Sequence, residues 1–144
     1  MTEEFARAVD KALRLLAFRA RSRRELTDRL VRAGFSDECA EETARAMEER
    51  HYIDDYRFAS DFIEDKTRLR YWGRLRIISE LTRLGVERGV TEKALCDSEV
   101  DWTRTALAAL ESAPKERRKA AAALARKGFT EEEIRTVIKD AELD

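Results

Sequence analysis

Apolar residues recur three and four apart along nearly the whole chain, the spacing of helices that bury one face. Three stretches show it: Val9, Leu13 and Leu16; Phe58, Ala59, Phe62 and Ile63; and Trp102, Ala106, Leu107 and Leu110. A six-residue signal, Leu-x-Arg-x-Gly-apolar, follows each of them, at residues 30–35, 81–86 and 124–129. Helices commonly end with a left-handed Gly, and the apolar residue after it packs back on the last turn. Gly34, Gly85 and Gly128 fit that role, pairing Phe35 with Leu30, Val86 with Leu81 and Phe129 with Leu124. The copies are offset by 51 and 43 residues, so the third unit is shorter.

Start signals match these stops. Ser22-Arg23-Arg24-Glu25 is a capping box, in which Ser and Glu satisfy each other's backbone N–H groups. It opens a helix over about 22–33 that buries Leu26 and Leu30. Gly73 stands 51 residues after Ser22 and opens a helix burying Ile77, Leu81 and Leu84. The third begins after Pro114, a good first-turn residue, and buries Ala120, Ala121 and Leu124. Beyond each Gly stop another helix starts, with Ser36-Asp37-Glu38 and Thr130-Glu131-Glu132-Glu133 as caps; in the middle copy Gly89 weakens the signal. The expected fold is all-α: nine helices in three tandem three-helix repeats, over 1–50, 51–98 and 99–144, forming an elongated, curved array. One such unit buries its faces poorly alone and well when stacked.

Composition narrows the classes. One Pro, five Gly and no Asn leave too few turn formers for an all-β chain of 144 residues. No apolar run reaches the ~20 residues of a membrane span, and the charged start MTEEFARAVDKALRLL does not read as a secretory signal. Cys39 and Cys96 read as small core residues in a reducing compartment. The lone His51, in a loop with Tyr52, has no metal-ligand spacing around it. No nucleophile has a base placed beside it, so no enzymatic role, metal or cofactor is expected. Phe5, Phe18, Phe35, Phe58, Phe62 and Phe129 are assigned to the core, and Tyr71-Trp72 to a wedge between two helices.

Charge order is more telling than net charge, which is −1. Residues 14–32 carry seven Arg and two acids, whereas residues 36–65 carry eleven acids and three Arg. Residues 66–76 hold five basic side chains and no acid; residues 115–127 hold six and one acid. The basic runs therefore fall at equivalent places in the repeat. If the middle helices align, they form one ridge that would dock a polyanion or an acidic groove. Its members are Arg19, Arg23, Arg24, Arg29 and Arg32; then Arg68, Arg70, Arg74, Arg76 and Arg83; then Arg117, Arg118, Arg126 and Lys127.

The run Leu15-Leu16-Ala17-Phe18-Arg19-Ala20-Arg21-Ser22-Arg23-Arg24-Glu25-Leu26 resembles the RecX regulatory proteins. So do Ile53-Asp54-Asp55-Tyr56-Arg57-Phe58-Ala59, Gly73-Arg74-Leu75-Arg76-Ile77-Ile78-Ser79-Glu80-Leu81 and Gly85. These motifs span most of residues 8–95; the last 45 residues match in pattern only. The resemblance implies a monomeric cytoplasmic protein without a cofactor that binds the RecA recombinase. Such proteins lodge in the groove of the RecA–ssDNA filament and lower its growth, ATPase, strand exchange and co-protease activity. The other class open to a basic helical chain is a DNA-binding protein, non-specific or transcriptional. The absence of Asn and Gln argues against base readout.

Overall fold

The computed structural model describes residues 2–141 and 143, and among these it contains nine helices and no strand. The first three are α1 (Glu3–Phe18), α2 (Arg23–Arg32) and α3 (Asp37–Glu49). The next are α4 (Asp55–Arg70), α5 (Arg74–Arg83) and α6 (Arg88–Ser98). The last are α7 (Trp102–Glu111), α8 (Arg117–Lys127) and α9 (Glu131–Asp140). Local chemistry sets these boundaries. Ser22–Glu25 and Thr130–Glu133 form complete capping boxes, and Ser36 and Asp54 cap α3 and α4 through their side chains. α5, α6 and α8 start without a side-chain cap. Gly89 lies inside α6.

All three middle helices stop the same way. Gly34, Gly85 and Gly128 have φ of 104°, 88° and 102°. The N–H groups of Phe35, Val86 and Phe129 return to Leu30, Leu81 and Leu124 at 3.1, 3.0 and 3.2 Å. This is the paired-bond stop that left-handed Gly permits.

Packing is local to each trio of helices. One core joins Ala12, Leu15, Leu26, Leu30, Ala44 and Met47. A second joins Ala59, Ile63, Ile77, Leu81, Val86 and Ala94. A third joins Ala106, Ala120, Leu124, Phe129, Val137 and Ile138. The accessible surface is 9392 Å², against roughly 7,600 Å² for a compact chain of this mass. Three small cores in a row leave that extra area exposed.

Four apolar assignments change. α1 buries Ala8, Ala12 and Leu15, leaving Val9 and Leu16 at the edge and Leu13 out. In α7 Ala106 and Ala109 face in while Leu107 is exposed. Phe18 ends α1 and stands 82% exposed, because the chain turns away before anything packs over it. Cys39 is buried, but Cys96 lies on the outer face of α6. Trp72 does wedge: it meets the Phe62 ring edge-on at 6.1 Å and packs with the second core. Its neighbour Tyr71 takes the left-handed cap of α4, with φ 55°.

Successive units meet through the ends of their middle helices. The end of α5 seats on the start of α2: Ser22 Oγ donates to Leu84 O, and Arg24 Nη2 donates to Arg83 O at 2.6 Å. The end of α8 seats on the start of α5: Gly73 N donates to Lys127 O at 2.8 Å and Leu75 N to Gly128 O at 3.0 Å. Each seam satisfies helix-end groups that have no partner within their own helix. Gly73 is required there, since a Cβ would overlap the Gly128 carbonyl group and Phe129 N. Side chains complete the seams. Asp55 accepts from Arg23 N at 2.8 Å, and Arg74 pairs with Glu133 at 2.8 Å.

Candidate functional site

The first seam creates a basin. α1 stops at Phe18, and Arg19–Ser22 cross in extended form to the start of α2. That crossing brings Arg19, Arg21 and Arg24 beside Arg29 and Arg32 of α2. The seated end of α5 adds Arg83. Six arginines thus share one depression with only Glu25 and Asp28.

Arg21 lines the basin, and an adjoining depression with Asp54 and Asp61, and was not among the expected docking residues. The side chain is buried, and its Nε donates to Leu15 O at 3.4 Å. Burial first, then the like charges of Arg19 and Arg29, push its guanidinium pKa down. Glu25 opposes that push, but it is already bonded to Arg19 at 2.7 Å. Burial would raise Glu25; the Arg19 and Ser22 N–H bonds outweigh it and hold Glu25 low. A buried cation with so little counter-charge is costly, and an incoming anion would relieve it.

An apolar groove adjoins the basin and shares Arg19, Glu25 and Leu84 with it. Phe58, Phe62 and Leu69 line it, with Lys66 and Arg70 at its side. Leu69, which lines it, is 64% exposed. Asp61 and Asp65 line it as well, so the strip is apolar with mixed charge at its rim, the make-up of a protein-recognition surface.

The expected single ridge does not form as drawn, because several of its members are taken up by partners within the fold. Arg23 turns to Glu41 and Glu48. Burial would lower Arg23, and those two carboxylates more than reverse it. Arg74 is held by Glu133, and the Arg76 guanidinium lies 4.0 Å from the Trp72 ring centroid. Lys127 Nζ donates to Arg70 O at 2.8 Å. Arg68 lies 4.0 Å from Asp65. Arg117 Nε reaches Leu143 O at 3.3 Å, at the far end of the array, where Arg118 is exposed. Arg126 is exposed on the last turn of α8. Arg19, Arg24, Arg29, Arg32 and Arg83 are the members brought together. Arg21 escaped notice because an extended link has no periodicity from which to read burial.

No group of three His, Cys, Asp or Glu that could hold a metal occurs among the described residues. No helix there is long and apolar enough to cross a membrane. The fold defines a class: a tandem helical-repeat protein, here with a cluster of arginines at its first seam. The comparisons give the family. Models of the first and second three-helix domains of RecX match residues 8–44 and 54–95. The regulatory protein RecX of Halorhodospira halophila is 38% identical over 143 residues, covering 94% of this chain and 88% of its own. That of Salmonella heidelberg is 37% identical over 112 residues, covering 71% and 67%. The crystal structure of RecX from Lactobacillus salivarius superposes with a TM-score of 0.86 over 99% of both chains at 19% identity. A second RecX crystal structure gives 0.83 over 96% of this chain at 20% identity. The chain belongs to the RecX family of regulatory proteins.

Proposed function

We propose that this chain binds a RecA–ssDNA filament through the arginine basin and its adjoining groove. Bound there, it restrains filament growth and lowers ATPase, strand exchange and co-protease activity. It acts in the cytoplasm as a three-unit protein divided at about residues 50 and 98. Family membership supports the regulatory role, and the observation that carries the site is Arg21, buried among like charges. A partner carboxylate or phosphate placed in the basin meets several guanidinium groups, each able to bond it in bidentate fashion.

The test changes Arg29 and Arg32, which have no ion-pair partner among the described residues, to Ala. Loss of a desolvated interfacial charge costs about 2–5 kcal/mol. The concentration giving half-inhibition of the filament's DNA-dependent ATPase should therefore rise at least tenfold. Unchanged inhibition by the folded double variant would refute the site. A second reading, direct binding to DNA, draws on the same guanidinium groups. It is separated by binding to short duplex and single-stranded DNA without RecA, where log affinity should fall steeply with log salt.

A further inference from the structure

The same helix stop occurs three times, but only two copies are covered. Gly85 and Gly128 are pressed against Arg24 and Arg76 of the preceding unit, so that a Cβ on either would overlap those residues. Around Gly34 a Cβ would meet nothing within 4 Å. Arg83 O, Leu84 O, Lys127 O and Gly128 O each accept a bond across a seam. Among the described residues, no such bond reaches Arg32 O, Ala33 O or Gly34 O. One acceptor end is therefore open.

Among the described residues one donor end is unseated too, although Leu143 O meets Arg117 beside it. α8 starts at Glu116 without a side-chain cap hydrogen bond. Residue for residue, its start repeats that of α2: Arg117 and Arg118 stand where α2 has Arg23 and Arg24. Arg118 thus occupies the position of Arg24, whose guanidinium grips the Arg83 carbonyl in the first seam. The two open ends also carry opposite charge. Asp37, Glu38 and Glu42 are exposed on the first turns of α3, beside the Gly34 stop, and Arg118 and Lys119 are exposed at the α8 start. The mismatch is Glu116, a carboxylate where the seated starts have Ser22 or Gly73. Facing helix-end carbonyls, that charge is unfavourable.

From this pattern we infer that a second copy of the chain docks its α8 start on the Gly34 end of α2, head to tail, by the seam already used twice within the molecule. The contact is heterologous, so it propagates as a line instead of closing into a symmetric pair. Glu116 weakens it enough that dilute chains remain single. Copies bound side by side on a common lattice reach local concentrations of about millimolar, and there they join. The inference stands whether or not the lattice is a RecA filament.

The test is sedimentation equilibrium of the full chain at low salt, from dilute solution to about millimolar. Wild type should show weight-average mass rising above 16.7 kDa at the top of that range. Glu116→Gly should associate at least tenfold more tightly. Adding Gly34→Asn, which keeps a left-handed stop but fills the seat, should return that variant to a monomer. As a check independent of backbone conformation, Glu38→Lys with Glu42→Lys should abolish association. Combining it with Lys119→Glu, which leaves the Arg118 grip on the carbonyl in place, should restore part of it. A Glu116→Gly chain that stays monomeric throughout, or one whose association ignores Gly34→Asn, overturns the inference.

Discussion

Replacing Gly73 by Ala tests the seam between the second and third units. The backbone there has φ −84° and ψ 169°, values that Ala adopts without strain. In isolation the change would stabilise by about 0.4–1 kcal/mol through the unfolded chain. The added methyl, however, would overlap backbone atoms of Gly128 and Phe129, not the tip of a side chain that could swing aside. The end of α8 must withdraw. Two backbone bonds, Gly73 N to Lys127 O and Leu75 N to Gly128 O, are then lost, at about 1 kcal/mol each. The Arg74–Glu133 pair is loosened with them; Arg74 is 43% exposed, so its share is at most about 1 kcal/mol. The balance is a loss of about 2 kcal/mol at the seam, with the three cores intact. Amide hydrogen exchange reads this directly. Protection at Leu75 should fall roughly thirtyfold, while amides around Leu26 and Leu30 keep theirs. Gly89→Ala, with nothing within 4 Å of the added carbon, should instead stabilise by about 0.5–1 kcal/mol. Unchanged protection at Leu75 in Gly73→Ala would refute the seam as described.

Three further outcomes follow from burial and charge. Phe18→Ser should leave stability within about 0.5 kcal/mol, whereas Phe129→Ala should cost roughly 3–5 kcal/mol; urea midpoints decide, and equal effects would contradict the exposures of 82% and 3%. Glu25 is held below the ordinary glutamate range, so the stability it contributes is present above about pH 4.3 and lost as pH falls through its lower folded value. Glu25→Gln should accordingly flatten the acid-side fall in urea midpoint, and an unchanged slope would refute the linkage. A maleimide should label Cys96 in the native protein and Cys39 only on unfolding, since Cys39 is buried and burial first of all raises its thiol pKa; equal rates would refute this.

The nine helices were legible because their ends carry their own chemistry: capping residues at the starts, and the Leu-x-Arg-x-Gly-apolar stop that appears three times. Failures came where one helix's pattern depends on its neighbours. Leu13 and Leu107 lie at helical spacing yet outside the buried stripe, because the small residues Ala8, Ala12, Ala106 and Ala109 let the backbones approach on the adjacent face. The basic runs were visible, but their use was not. Nothing in the spacing of Arg74 and Arg76 tells that another helix end will seat between them, turning docking candidates into mortar. Asp55 is a similar case: it looks like a cap for its own helix and instead caps α2.

Because each core draws only on the helices of its own trio, most contacts fall within one repeat, and the seams are what reach from one repeat to the next. Low contact order favours fast folding, and each trio can mature as it leaves the ribosome, first unit first. The alike seams carry a cost for that speed. While the first unit waits with the start of α2 open, the Gly128 stop of the third unit offers it the same left-handed helix end as the Gly85 stop that belongs there. The order of synthesis, the grip of Asp55 on Arg23 and the Ser22 and Arg24 bonds to the α5 end favour the native arrangement. Refolding from denaturant removes the first of these safeguards. Misjoined arrays and exchanged units between chains should therefore be commoner in refolded protein than in protein folded during translation.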